Sequence, residues 1–392
     1  MDVEKIVAKI KHSSSDFVVE ERAEKWDCHV SDNFSSNESP DISSLGSQES
    51  REFLWCEMEK KDIDHFMAIK EVAKGLGVEP RDIGYGGSKD KVAHTSQRIS
   101  IFRPNLERVK LFSHEKIFLK NFKWNKRKIK LGYLDGNHFG IVLRDIDKKD
   151  AIKQSTRMKN KNWFANFFGA QRFGSLRQNN VKIGKLILEK KFEEAVWTIL
   201  TDTGENERPD LRFAREKLGK GRNISEAAGY FPAFLKLEKS LLYYLKRNPE
   251  DYFGAIKRGD RKNILMYVHS VQSRIFNDIL EIALGEGLDF THEGQKSVPL
   301  VGYKTRFSKG RLGEIEKEVL DRNGLTLEDF NLREIPYLRI KGSFRRAIVE
   351  VSDLKIGVED DEIFSGSKKM NLEFTLPSGV YATTFLEGFF VF

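Results

Sequence analysis

The apolar residues of this chain change their spacing twice, and this change constrains the fold more than any other feature. Runs with strand composition lie near both ends: DFVVEE and REFLWCEMEK before residue 61, then YLRIKG, RRAIVEVSD, LEFTLPSG and YATTFL from about Arg333 onward. Between Lys182 and about Leu284 the apolar residues recur at helical intervals, as in Val271, Ile275 and Ile279. A helical middle between strand-rich ends predicts the α+β class, with one domain interrupted by an inserted helical domain.

Two local patterns predict particular elements. Asp64 can cap a helix with apolar positions at helical spacing and with Gly75 and Gly77 available to end it; these positions are Phe66, Ile69, Val72, Ala73 and Leu76. The basic stretch KNFKWNKRKIKLGYLDGNHFGIVLRDI alternates like paired strands around Asp135, Gly136 and Asn137, which predicts a hairpin.

The segment from Trp26 to Ser50 is rich in Ser, Asn and Asp and nearly free of aliphatic residues. Such a composition buries too little apolar surface to order a chain. We therefore expect residues 26–50 to form a mobile insertion.

The charge of the chain indicates an anionic partner. Lys and Arg number 67 against 59 Asp and Glu, a formal net charge of +8. No stretch approaches the 18 or more apolar residues of a membrane-spanning helix, and the N-terminus has no signal-peptide core. We expect a soluble, cytoplasmic protein that binds nucleic acid rather than a membrane.

Cysteine and histidine patterns give no sign of a metal centre. The two cysteines, Cys28 and Cys56, form no CxxC pair, and the eight histidines contain no HExxH motif. We therefore expect any catalysis to proceed without a metal.

The stretch GYGGSKDKVAHTSQR, residues 84–98, places Asp90 after a run of glycines. It is not a Walker phosphate loop, because no glycine directly precedes Lys89. A clamp of the KH type at Gly84 to Gly87, which would hold a single-stranded backbone, remains open. So does a tight turn that needs positive φ, with Asp90 as a solvated acid between two lysines.

Five ordered motifs resemble those of the TruD family of tRNA pseudouridine synthases. They span Lys11 to Leu386 and so cover almost the whole chain. The motifs are KIKHSSSDFVVEE, GYGGSKDKVAHTSQ, KRKIKLGYLDGNHF, NFFGAQRFG and LPSGVYATTFL. One departure is that Glu387 and Gly388 follow Leu386 where the family usually has Arg-Glu, which puts any role of that arginine in doubt.

The resemblance implies a domain plan and an activity. Residues 1–191 and 348–392 would form a pseudouridine synthase catalytic domain with a mixed, mainly antiparallel sheet. Residues 192–347 would form an inserted TRUD domain, a mostly helical α/β structure. The activity would be isomerisation of uridine to pseudouridine at position 13 of tRNA, without a cofactor. The partner would be tRNA, and no obligatory protein partner is evident, so we expect a monomer.

The reaction breaks the bond from ribose C1′ to uracil N1 and rejoins the base through C5. Because cleavage places positive charge on the sugar, an ionised carboxylate near the ribose suits the chemistry. The resemblance assigns this role to Asp90, with Lys11 as its basic partner. Whether Asp90 attacks C1′ or removes the C2′ proton is open.

The family match also implies residues that bind the substrate. A target uridine must be extruded and stacked, and Phe168 matches the family's aromatic at that base, with Asn166 as its polar neighbour. Lys89 and Gln97 would shape the loop of Asp90, and Arg172 would contact a phosphate or the fold. From the basic stretch we expect backbone contacts by Lys123, Lys126, Arg127 and Lys128, with Trp124 interleaved among them.

Overall fold

The computed structural model describes residues 5–32, 34, 39–46, 48, 51–160, 163–174, 176–205, 207–291 and 296–392. The chain divides into two compact units. We call them the sheet unit, Asp2–Phe164 with Val349–Phe392, and the helical unit, Ala165–Ile348. The sheet unit thus contains both strand-rich ends, and the predicted α+β class is confirmed.

The strands range in length from two residues, in the first and the last, to eleven in Gly136–Ile146. In chain order they are β1 Ile6–Val7, β2 Phe17–Arg22, β3 Phe53–Lys61, β4 Ile83–Tyr85, β5 His94–Phe102, β6 Ile117–Asn125, β7 Gly136–Ile146, β8 Trp163–Ala165, β9 Ser297–Leu300, β10 Ser343–Arg346, β11 Ile348–Glu350, β12 Ser352–Asp360, β13 Lys368–Pro377 and β14 Phe390–Val391.

Most of the helices lie in the helical unit. In chain order the helices are α1 His65–Leu76, α2 Leu106–Lys110, α3 Lys148–Lys159, α4 Asn180–Leu188, α5 Phe192–Thr201, α6 Pro209–Gly221, α7 Ile224–Tyr230, α8 Lys236–Arg247, α9 Tyr252–Arg258, α10 Arg261–Gly285, α11 Gly310–Arg322 and α12 Ala382–Leu386.

The main sheet runs in the order β12-β13-β7-β2-β5-β3-β6, and β4 pairs with β5. Strands β2 and β5 are parallel, and the other neighbours in this sheet are antiparallel. The mixed, mainly antiparallel sheet expected from the sequence is therefore present. Because β12 and β13 follow the helical unit in the chain, the sheet needs strands from both sides of the insertion.

Two apolar clusters form the core of the sheet unit. One covers β2, β7 and β13 and includes Phe139, Leu372 and Phe385. The other covers β3, β5 and β6 and includes residues of α1 such as Ile69 and Val72.

Helix α1 begins and ends as the sequence predicts. The Asp64 carboxylate accepts from the backbone N–H groups of Phe66 at 2.9 Å and Met67 at 3.1 Å. The helix ends at Gly77, whose φ of 69° lies in the left-handed region that favours glycine. Phe66 is an exception to the predicted apolar face, since it is 53% exposed.

The helical unit is organised around α10, the longest helix described. Ile264, Val268, Ile275 and Ile279 of α10 are all fully buried. Helix α4 packs so closely on α10 that a Cβ added at Gly184 would lie 2.1 Å from the carbonyl oxygen of Tyr267. This contact explains why α4 belongs to the helical unit, which begins at Ala165, whereas the sequence placed the start of the inserted domain at residue 192.

The predicted hairpin around Asp135, Gly136 and Asn137 is wrong. Strand β6 pairs with β3, and β7 pairs with β2 and β13, so the two strands flanking this turn are not partners. The alternation identified both strands correctly. It could not identify their partners, because one edge of β7 is taken by a strand more than 200 residues later in the sequence.

Two other runs with strand composition are not strands. YLRIKG begins with a short 3₁₀ turn at Pro336–Leu338 and continues as irregular chain. YATTFL forms the helix α12, which buries Phe385 and Leu386 in the core. Tertiary burial decides both cases over local propensity.

The first part of the segment predicted to be mobile is held against the sheet by hydrogen bonds to buried acids. Trp26 Nε1 donates to Glu57 at 2.8 Å, and Ser31 N and Oγ donate to Glu59 at 2.9 and 2.8 Å. Burial alone would raise the pKa of Glu59, but hydrogen bonds from His94, Lys120 and Ser31 lower it to about 2. Residues 26–31 thus find partners that composition does not reveal. Residues 33, 35–38, 47, 49 and 50 of the predicted insertion lie outside the described residues.

Candidate active site

Asp90 and Lys11 lie together at one end of the central strands of the main sheet. Lys11 precedes β2 and Asp90 precedes β5, and because these neighbouring strands are parallel, both begin at the same end of the sheet. Lys11 Nζ donates to Asp90 Oδ2 at 2.9 Å. The Lys11 ammonium also lies 4.1 Å from the centroid of the Phe17 ring. The ion pair that we expected between these two residues is present.

The backbone of Lys11 has φ of 56°, a left-handed conformation that residues other than glycine rarely adopt. Such a conformation persists only where the surrounding structure imposes it. Here the antiparallel bridge between Lys9 and Arg144, formed just before Lys11, fixes the path of the chain.

A buried lysine holds the loop of Asp90 by a hydrogen bond to its backbone. Lys60 is fully buried, and its ammonium donates to the backbone carbonyls of Asp90 at 2.5 Å and Ile63 at 3.0 Å. Burial lowers the pKa of Lys60 to about 8, against the opposing attraction of Asp90 and Asp64. Lys60 therefore ties the backbone of the Asp90 loop to the residues just before α1.

A second buried charge cluster fixes the other side of the loop. Glu21 is fully buried, with Oε2 3.1 Å from Lys89 Nζ and Oε1 3.1 Å from Arg98 Nε. Gln97 donates from Nε2 to the carbonyl of Gly87 at 3.0 Å. Lys89 and Gln97 thus have partners within the protein, and that they shape this loop stays a prediction.

Asp90 lines a pocket of about 390 Å³. Phe17 and Val19 alternate along β2 and so share one face of the sheet, and Phe139 lies opposite Val19 on β7. The C-terminal segment Ser378–Thr383 also lines the pocket, and Tyr381 is 68% exposed. The Asp90 side chain is 54% exposed, so its carboxylate is accessible from this aromatic-lined pocket.

The glycines before Asp90 do not form a KH clamp. Gly84 lies in β4, and the chain continues into β5, so there is no pair of helices around Gly84 and Gly87. Nor do Gly84, Gly86 and Gly87 have the positive φ of the tight-turn alternative. Gly84 is needed for space, because a Cβ there would lie 2.3 Å from the carbonyl oxygen of Ile129.

Asn166, Phe168 and Arg172 lie in the helical unit. Asn166 Oδ1 accepts from Arg345 at 2.5 Å, and the Arg345 guanidinium lies 4.1 Å from the centroid of the Phe168 ring. Phe168 is half-buried, edge-to-face with Phe276 at 5.5 Å. Its backbone exchanges two hydrogen bonds with the Asn277 side chain. Arg172 donates to Ser273 Oγ at 3.0 Å.

The residues of the basic stretch differ in their exposure to solvent. Trp124 is 4% exposed and belongs to the core, so our expectation that it is interleaved among RNA-contacting cations is wrong. The Lys128 ammonium donates to the carbonyl of Arg81. Lys123, Lys126 and Arg127 are exposed.

Three residues of this site were not assigned a role from the sequence. Glu21 occupies the final acid of the DFVVEE motif, and Tyr381 lies in the closing motif, so the motif match could have found both. Lys60 gave no such signal, because its burial depends on packing between β3 and α1.

The model of the family "tRNA pseudouridine synthase D (TruD)" matches residues 1–298 and 291–389 of this chain. The chain belongs to the TruD family. The resemblance drawn from the five motifs is therefore confirmed.

Curated relatives from archaea match over most of their length. Proteins named "Probable tRNA pseudouridine synthase D" are similar to this chain in Methanopyrus kandleri, with 34% identity over 84% of this chain and 83% of the relative, and in Methanosarcina acetivorans, with 31% identity over 86% of each. A crystal structure of a TruD protein of Methanosarcina mazei is 28% identical and superimposes with a TM-score of 0.80, covering 99% of this chain and 94% of that one.

Within the described part of the chain, no helix has both the length and the apolar character needed to span a bilayer. The same residues contain no cluster of three or more His, Cys, Asp or Glu side chains suited to a metal ion.

Proposed function

We propose that this protein isomerises uridine to pseudouridine at position 13 of tRNA, with Asp90 as the catalytic residue and no cofactor. Membership of the TruD family supports the reaction class. The observation that carries the proposal is the Asp90 carboxylate, paired with Lys11 at 2.9 Å, beside a pocket walled by aromatic side chains. Since tRNA would be the substrate, we propose that the protein is cytoplasmic. We also propose that it acts as a monomer.

The proposed chemistry uses each feature of this pocket. A uridine flipped out of its helix needs apolar walls to replace the lost base stacking, and Phe17, Phe139 and Tyr381 supply them. Cleavage of the C1′–N1 bond makes the sugar electron-poor, and the Asp90 carboxylate either attacks C1′ or removes the C2′ proton. Lys11 places its ammonium group 2.9 Å from this carboxylate, and the buried contacts of Lys60 and Glu21 hold the loop in place.

We also propose that Phe168 stacks on the target base, with Asn166 as its polar neighbour and Arg172 as a phosphate contact. In support, Arg345 orients both Phe168 and Asn166 within the helical unit. The hydrogen bonds from Asn277 fix the backbone at Phe168.

The proposal is tested on unmodified tRNA transcripts incubated with the purified protein. We expect pseudouridine at position 13, detected by chemical adduct formation and primer extension. A transcript with cytidine at position 13 is the control and should yield no product there. Conversion only at another position would contradict the site assignment, and no conversion in any transcript would contradict the activity.

We propose that Lys123, Lys126, Arg127 and Lys128 contact the RNA backbone. Removing a phosphate contact reduces the slope of log affinity against log salt by about 0.7 to 0.9. The double variant Lys126→Gln with Arg127→Gln should therefore reduce the magnitude of this slope by roughly 1 to 2. It should also weaken the binding of RNAs of different sequence to a similar extent. The matched control is Lys70→Gln with Lys74→Gln on α1, which removes two exposed charges elsewhere in the same unit. Equal slopes for the two variants would exclude Lys126 and Arg127 from the interface.

A further inference from the structure

The sheet unit contains a second pocket, of about 380 Å³, next to the pocket of Asp90. The two pockets share Gly132 and Leu134 as a common wall. The residues that line the second pocket include three aromatic side chains, two lysines and an asparagine: Trp26, Trp55, Tyr133, Lys25, Lys123 and Asn125. None of these residues has a part in the chemistry proposed for Asp90.

The aromatic side chains offer apolar ring surface to this pocket. Trp26 Nε1 donates to Glu57 at 2.8 Å and Trp55 Nε1 donates to the carbonyl of Arg127 at 2.6 Å, so both indole N–H groups are satisfied within the protein. Tyr133 is 53% exposed and its ring lies edge-on to Trp55, with 6.1 Å between the ring centroids. Exposed aromatic surface beside a pocket is the usual platform for an unpaired base.

The charges around the pocket suit a nucleotide. Lys25 and Lys123 are exposed, and neither forms an ion pair with a described residue, so both ammonium groups are available to a phosphate. Two acids, Glu24 and Asp135, also line the pocket. A carboxylate there repels phosphate but accepts hydrogen bonds from the amino groups of bases, which places the base rather than the backbone against these acids.

We propose that the second pocket holds the unstacked base of the nucleotide next to the target uridine in the same RNA strand. The inference rests on the proposed function. Extruding one nucleotide removes a stacking partner from its neighbour, and the shared wall at Gly132 and Leu134 puts the two pockets side by side. The pocket thus replaces stacking that the substrate loses when the uridine leaves the helix.

The test combines Tyr133→Ala with transcripts that carry an abasic nucleotide on the 5′ or the 3′ side of the target uridine. Stacking of one base on one aromatic side chain accounts for about 5- to 150-fold in affinity. We expect Tyr133→Ala to raise the Kd and the KM for intact tRNA by this factor. On one of the two abasic transcripts, wild type and Tyr133→Ala should have equal Kd values.

Two controls separate stacking from a general loss of structure. Tyr133→Phe keeps the ring and should behave as wild type. Phe66→Ala removes an aromatic side chain of the same exposed fraction, 53%, from α1 and should not change the Kd. The proposal is overturned if Tyr133→Ala binds intact tRNA like Phe66→Ala, or if its loss of affinity is the same on intact and both abasic transcripts. This test measures the affinity for tRNA and does not depend on the conversion of uridine. If the wild-type protein binds tRNA but makes no pseudouridine, that result contradicts the proposed function only.

Discussion

Replacing Asp90 with asparagine is expected to lower the rate of uridine conversion on the order of 10⁴-fold or more and to leave tRNA affinity nearly unchanged. The amide has almost the same shape as the carboxylate, but it carries no charge to stabilise or capture the ribose. The Asp90 side chain is 54% exposed and its backbone is held by Lys60, so the fold should tolerate the change. Single-turnover conversion and tRNA binding are measured on the same preparation.

Two substitutions of Lys11 test the role of the ion pair with Asp90 in the same conversion assay. Lys11→Ala removes the cation 2.9 Å from the carboxylate and should slow turnover by about 10- to 100-fold, whereas Lys11→Arg should recover part of the rate because it restores the charge. Glu115→Gln, at a side chain 78% exposed, serves as the control for handling and assay. Wild-type conversion by Asp90→Asn would end the case for Asp90, and wild-type rates in Lys11→Ala would count against the ion pair.

Replacing Glu21 with glutamine is expected to destabilise the sheet unit by about 3 to 5 kcal/mol. Glu21 is fully buried and is the anionic partner of both Lys89 and Arg98, whose side chains are 5% and 4% exposed. Glutamine keeps the shape but leaves two buried cations without a compensating charge. Because Lys89 adjoins Asp90, we also expect slower conversion at temperatures where the variant is still folded.

The matched control for Glu21→Gln is Glu107→Gln, which breaks an exposed pair with Lys110 on α2. Exposed ion pairs contribute little to stability, so this variant should unfold close to wild type. Urea unfolding of both variants compares the buried and the exposed pair directly. Coincident unfolding midpoints for the two variants would show that the buried cluster does not stabilise the fold.

Local chemistry made part of the fold predictable. The cap at Asp64, the left-handed end at Gly77 and the strands β2 and β3 all follow from short-range preferences. Strand partners did not, because β7 is paired on one side by β13, which follows the whole helical unit. Helix α12 was missed for a related reason: its form depends on burying Phe385 in a core built by distant strands.

Only the residues of the candidate site that lie in the family motifs could be predicted from the sequence. Family resemblance named Asp90 and Lys11, and the parallel pairing of β2 with β5 explains why they meet. The supporting charges of Lys60 and Glu21 were not foreseen, because a charged residue in a strand is usually solvated and only the tertiary fold shows that these are enclosed.

The split origin of the main sheet has a consequence for biosynthesis. While the ribosome translates the helices between β7 and β13, the outer edge of β7 has no partner and exposes its backbone N–H and C=O groups. At roughly 5 to 20 residues per second this interval lasts on the order of ten to forty seconds. The nascent chain must therefore avoid wrong pairing at that edge until its last strands emerge.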